Sequence, residues 1–287
     1  MNDTEKNKLE PSTLYLVATP IGNLADISER AVKVLREADF IAAEDTRNTL
    51  RLLTSLGIKN ELVSYFEHNK KASGERIVAR LISGECCALV TDAGMPAISD
   101  PGEDIVKLCA DAGICVSVIP GACAAVSALA LSALPTKRFS FEGFLSANKA
   151  ERKRTLTSLA REERTMIFYE APHKLKQTLS DMLEIFGDRK ISLCREITKL
   201  NEEVIRTTLS GAVSLYLQKD PRGEYVLVLE GASEEASAEE NPLLLLSPDE
   251  HVKHYTDSGM AKMDAIKAAA KDRKIPKSEM YKLVNRD

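Results

Sequence analysis

Short apolar runs recur along the first half of the chain, each followed by a turn and a segment with helical periodicity. Leu14–Thr19, Phe40–Ala43, Leu62–Tyr65, Cys87–Thr91 and Cys115–Ile119 read as buried strands separated by helical segments. Such βα repetition predicts a mostly parallel, doubly wound sheet. Asp26 with Glu29 reads as a capping box opening a helix that runs to Ala38. Between Leu134 and Phe141 the pattern changes. FSFEGFL (139–145) gives way to the basic helical run ANKAERKRTL (147–156). A second series follows: Met166–Tyr169, a helix to Phe186, and Ile191–Cys194. Glu203–Thr208 and Tyr225–Glu230 are strand-like, without a full-length crossover between them, which predicts a mixed sheet with antiparallel strands. The fold class expected is α/β, with two α/β domains and a small helical module at the C-terminus.

A chain of 287 residues suits two domains at about 150 residues each. Its 44% hydrophobic and 29% charged residues are globular values, and no run approaches the ~20 apolar residues of a membrane span. The start, MNDTEKNKLEP, is polar and lacks an apolar signal core. The six cysteines lie mostly in apolar runs, with no CxxC pair, and read as reduced core residues of a cytoplasmic protein. The net charge of −4 is unevenly spread. From His251 onward nine Lys/Arg face five Asp/Glu, giving +4 there and −8 elsewhere. The acidic, small-residue stretch ASEEASAEENP (232–242) precedes this tail and reads as a linker. Residues 259–284 read as two helices around Ile275-Pro276, much like a helix-turn-helix. The expected organisation is 1–137, 138–232, an acidic linker 233–242, and a basic module 243–287. A basic module points to a polyanionic partner, with a solvated helical tail as the alternative.

The segment TDAGMPAISDPG (91–102) follows an apolar strand and precedes an amphipathic helix. In open α/β sheets, ligands bind beyond the carboxyl ends of the strands. This loop is longer than an ordinary connection, and two glycines and two prolines restrict its shape. It reads as a binding loop. Missing motifs narrow the chemistry. No GxGxxG follows the first strand, no GxxxxGK[ST] exists and no GxSxG is present. His251 and His254 form an HxxH that reads as a solvated helix face, and no metal site is expected.

Eight ordered segments carry a resemblance: LYLVATPIGNLADIS (14–28), AAEDTR (42–47), VTDAGMPAISDPG (90–102), IPGACA (119–124), FEGFL (141–145), FYEAPHKL (168–175), REITKLNEE (195–203) and GEYVLVLEG (223–231). The chain resembles the class III, tetrapyrrole-methylase-like methyltransferases that use S-adenosylmethionine (SAM). Within that fold it resembles the family of bacterial 16S ribosomal RNA cytidine 2′-O-methyltransferases. Met95, Cys123 and Lys174 stand where Thr, Ser and Arg are usual. The resemblance implies SAM in the cleft between two α/β domains, a homodimer, and 16S ribosomal RNA or the small ribosomal subunit as partner. It implies cofactor contacts from Pro20, Asp92, Gly94, Met95, Ile98, Ala122, Cys123, Tyr169 and Glu170.

A ribose 2′-hydroxyl is a poor nucleophile near neutral pH, so a base is expected. Asp45 and Asp100 are the candidates because both follow strands, although Asp45 has an alternative as a helix cap or partner of Arg47, and Asp100 as a brace for the loop. Lys199 is a further candidate for orienting ribose or phosphate. RNA binding is expected of Arg138, Lys149, Arg152, Lys153 and Arg154, with the C-terminal module in support. Two alternatives stay open from the sequence: a methylase of the same fold acting on a tetrapyrrole or on diphthine, and a non-enzymatic nucleic-acid-binding regulator.

Overall fold

Strand β1 (Thr13–Val17) occupies an inner position in a five-stranded sheet with β2 (Phe40–Ala43), β3 (Leu62–Ser64), β4 (Cys87–Val90) and β5 (Cys115–Ile119). The order is β3-β2-β4-β1-β5 and every pairing is parallel. All five carboxyl ends therefore open on one edge. The structure is a computed structural model and describes residues 8–233, 242–273 and 275–284.

Helices α1 (Glu29–Glu37) and α2 (Thr46–Ser55) bury Ala31, Val34, Leu35 and Leu53 against one face of this sheet. Helices α3 (Lys70–Ile82) and α4 (Gly102–Asp111) bury Ile77, Leu81, Ile105 and Cys109 against the other. Strands buried on both faces read as continuous apolar runs, which is why they are visible in the sequence. The first helix starts differently from expectation. Ser28 is its cap, accepting a hydrogen bond from the Ala31 amide at 3.1 Å, while Asp26 ends a preceding 3₁₀ turn, Leu24–Asp26, capped by Asn23.

The second sheet contains β6 (Phe139–Phe144), β7 (Thr165–Glu170), β8 (Lys190–Arg195), β9 (Glu203–Thr208) and β10 (Tyr225–Leu229) in the order β6-β7-β10-β8-β9. Only β6 and β7 pair in parallel; the other pairings are antiparallel. The mixed character expected from the sequence is present. Helices α6 (Lys149–Ser158), α7 (Pro172–Phe186) and α8 (Leu209–Gln218) complete this part. Between the two series lies α5 (Ala124–Leu131), apolar on all sides, which packs on β7 and β10 and closes a core with Ile167, Cys194, Val226 and Val228.

Both sheets belong to one of two compact units, Met1–Thr157 with Thr165–Glu230; the other is Ser158–Arg164 with Gly231–Asp287. The second unit holds α9 (Pro248–Asp257), α10 (Lys262–Asp272) and α11 (Lys277–Val284), packed around Val252, Ala265, Ile266, Ala269, Ala270 and Met280. The helix pair expected around Ile275-Pro276 is α10 and α11. The expected acidic linker falls mostly at 234–241, outside the described residues. His251 corrects the reading of HxxH as a solvated face, because its side chain is fully buried. Arg273 Nε donates to its Nδ1 at 3.0 Å, so the ring's other nitrogen, Nε2, donates to Asp272 at 3.1 Å. The lone helix could not reveal this, since both partners lie one helix away. No helix among the described residues is long and apolar enough to cross a membrane.

Candidate active site

The loop after β4 is fastened at both ends. Thr19, just past β1, exchanges two backbone hydrogen bonds with Gly94, at 2.9 and 3.1 Å. Gly94 has φ 83°; a Cβ there would lie 3.2 Å from Ile21 Cγ2 and 3.6 Å from the Ala122 carbonyl oxygen. Ala97 and Ser99 also have positive φ, at 67° and 64°. Such conformations are strained for non-glycine residues and persist only where neighbours enforce them. Asp100 is the enforcer. Its Oδ1 accepts from the amides of Ala97 at 3.0 Å and Gly102 at 2.7 Å, and Tyr65 donates to the Pro101 carbonyl at 3.0 Å. Asp100 Oδ2 is buried with no protein partner.

The segments after β1 and β5 both meet this loop, at Ile21 and Ala122. Past β5, Gly121 lies against Ala18, where a Cβ would come within 2.9 Å of the alanine methyl. Ala122 and Cys123 lead into α5, whose first turn has no side-chain cap. Ile21, Cys123, Phe141 and Tyr169 pack on the same core as α5. Burial pushes the Tyr169 phenol up to about 12, so it stays protonated. The structure thus brings Gly94 to Ile21 and Ala122, and Ile21, Cys123 and Tyr169 to one core, with Pro20 between Thr19 and Ile21, Met95 half-buried and Ile98 exposed on the loop. Glu170 is different. Its carboxylate is buried, accepting from Thr178 at 2.5 Å and the Ala171 amide at 2.8 Å and pairing with Lys174 at 2.9 Å. Its side chain is committed to α7 and leaves only backbone atoms for a ligand.

At the neighbouring strand tip, Thr91 donates to Glu44 at 2.8 Å, tying the β2 and β4 ends together. Asp45 caps α2 and forms a bidentate pair with Arg47, at 3.2 and 3.0 Å. These hydrogen bonds hold its carboxyl below the usual range, which makes it a weaker base. Asp92, exposed, faces the same guanidinium. Lys199 Nζ bonds Glu196 at 2.9 Å and Glu224 at 2.7 Å, so its charge is already balanced.

The cationic group needs one correction. Arg152 is 4% exposed and pairs with Asp181 at 2.8 Å, so it is unavailable to a phosphate. A buried cation without such a partner would be strongly destabilising. Lys153 is paired with Glu184 at 2.6 Å. Arg138, Lys149 and Arg154 stay exposed.

The fold agrees with the comparisons. The tetrapyrrole (corrin/porphyrin) methylase family matches residues 13–213, and the chain belongs to it. Among solved structures, the chain is similar to uroporphyrin-III C-methyltransferase from Thermus thermophilus (TM-score 0.54, 20% identity, 80% of this chain and 97% of that one) and to a diphthine synthase (TM-score 0.57, 15% identity, 76% and 90%). A further Thermus thermophilus structure of the former, complexed with S-adenyl homocysteine, has TM-score 0.53 at 18% identity, covering 76% of this chain and 97% of that one. Much higher identity lies elsewhere. Proteins named ribosomal RNA small subunit methyltransferase I are 49% identical over 97% of this chain and 96% of the relative in Halalkalibacterium halodurans, and 43% over 94% and 96% in a Synechocystis species. Within its family, the chain is a methyltransferase of that branch.

Proposed function

We propose that this protein transfers a methyl group from SAM to the 2′-hydroxyl of a cytidine in 16S ribosomal RNA of the small subunit. The observation that supports this is the meeting of the segments after β1, β4 and β5, at Ile21, Gly94 and Ala122, with Tyr169 of β7 beside Cys123, in a methyltransferase fold. The residues there suit SAM. Gly94 keeps the loop close to Ile21 and Ala122 where a side chain would intrude, and the uncapped first turn of α5 suits a carboxylate. Pro20, Gly94, Met95, Ile98, Ala122, Cys123 and Tyr169 would hold it, with backbone atoms of Glu170. SAM, when bound, supplies an electrophilic methyl on a sulfonium.

The protein's own part is alignment, exclusion of water and removal of the hydroxyl proton. Alignment alone contributes about 7–11 kcal/mol in favourable cases. Asp45 and Asp100 are both retained as candidate bases: Arg47 engages both Asp45 oxygens, while Asp100 braces the loop through Oδ1 and buries Oδ2 without a partner. Full-length similarity to proteins named for small-subunit ribosomal RNA supports RNA over tetrapyrrole or diphthine substrates. We read the chain as domains 1–137 and 138–232 with module 243–287, acting in the cytoplasm as a homodimer on the assembled subunit or its RNA. The test offers methyl-labelled SAM with purified small subunits, a uroporphyrinogen, and a diphthine-synthase protein substrate in parallel. Label is expected in ribosomal RNA alone; label in either of the others overturns the assignment.

A further inference from the structure

Phe144, at the end of β6, is 59% exposed. Strand alternation would send Phe141 and Phe144 to opposite faces of β6. A bulge between Phe141 and Gly143, with Gly143 at φ 64°, shifts the register. Both rings then meet Tyr169, with centroids 5.0 and 5.3 Å from it. A Cβ on Gly143 would stand 3.1 Å from Ser99 Oγ, so the end of β6 abuts the 91–102 loop.

The backbone beyond Phe144 is held as firmly. Lys174 donates to the Leu145 carbonyl at 2.9 Å while paired with Glu170. Arg152 donates to the Ser146 and Ala147 carbonyls at 3.0 and 3.1 Å while paired with Asp181. Two cations, each matched to a buried carboxylate, therefore fix three successive carbonyls. The result is a large apolar ring, more than half exposed, on an immobilised backbone and in direct contact with Tyr169, with Lys174 Nζ 5.9 Å from its centroid.

We propose that Phe144 is the platform on which the base of the target nucleotide stacks, with Tyr169 backing it. The inference rests on the RNA reading above. Proteins that recognise a particular RNA sequence take up single-stranded bases splayed out of their own stack on aromatic side chains, and an aromatic face in place beforehand compensates for the stacking lost. Stacking tolerates any base, so Phe144 positions the nucleotide and does not by itself select cytidine.

The test compares full-length Phe144→Ala, Phe144→Leu and Phe144→Tyr in methylation of small subunits. SAM affinity is read by calorimetry and oligomeric state by light scattering. Aromatic stacking of about 1–3 kcal/mol per base corresponds to a rise of about 5- to 150-fold in KM for the subunit with Ala and Leu. Tyr should restore the wild-type value, and SAM affinity and oligomeric state should not change. If Leu performs like the wild type, the ring is only an apolar filler and the proposal fails. It fails equally if SAM affinity drops in parallel or if the variants change oligomeric state, since the ring then serves the cofactor or an interface. Wild-type protein that leaves subunits unlabelled overturns the RNA reading, and this inference with it; labelled subunits with an unaffected Phe144→Leu overturn this inference alone.

Discussion

Asp45 and Asp100 carry the same carboxylate under opposite conditions. Arg47 and the first amides of α2 engage Asp45, whereas Asp100 divides its work, one oxygen bracing the amides of Ala97 and Gly102 and the other buried without a partner. Whichever of the two is the base, its change to Asn is expected to slow turnover by about 10²–10⁴-fold, as loss of a general base does, with SAM affinity nearly intact. Single-turnover kinetics with calorimetry separates the two; full activity in both variants would leave alignment as the main source of the rate. Candidate residues of this kind were visible in the sequence because they follow strands directly. Arg152 was not readable: whether an arginine on a basic helix faces water depends on Asp181, 29 residues later, and no local pattern signals that pairing. Phe144 was equally hidden, because only the bulge at Gly143 brings it round to Tyr169.

At the scale of elements, apolar runs fixed strand positions well. Phe40–Ala43, Cys115–Ile119 and Glu203–Thr208 have the bounds expected of them, and other strands differ by one or two residues at their ends. Helices with no clear apolar stripe were harder. In α8, LSGAVSLYLQ mixes apolar residues around the helix, so the connection from β9 to β10 did not announce itself. The α9–α10 pair yields a pH prediction. Burial holds the His251 imidazole below its ordinary value of 6.5, and Arg273 and His254 act in the same direction, while Asp272 opposes them. Tyr255 shares Asp272, donating to it at 2.5 Å. The unfolded chain therefore binds more protons than the folded unit once pH drops to the ordinary histidine value. His251's contribution is fully present above about pH 6.5 and is lost as pH falls from there through the lower folded pKa. Hydrogen exchange of α9 and α10 amides, corrected for intrinsic rates, should show less protection at about pH 5.5 than at about pH 7.5. Equal protection at both, or more at the lower pH, would contradict the neutral, buried imidazole.

For the whole molecule, topology determines where chemistry is possible. A parallel sheet directs every carboxyl end to one edge, and α5 couples that sheet to the mixed one, so loops far apart in sequence share one opening. The repeated βα pattern made this architecture legible; the closeness of Gly94 to Ala122 and of Gly143 to Ser99 was not, since each is a contact between loops. The central claim is that this opening delivers a methyl to a ribose oxygen of small-subunit RNA. The most direct measurement isolates RNA from subunits treated with the protein and methyl-labelled SAM, then identifies the labelled nucleoside by mass spectrometry and its alkali resistance. The account predicts label in 2′-O-methylcytidine at a discrete site in 16S ribosomal RNA, with the adjoining phosphodiester resistant to alkali because its neighbouring hydroxyl is blocked. Label on a base, as in a methylcytosine with an alkali-sensitive linkage, or no label in RNA at all, would contradict it.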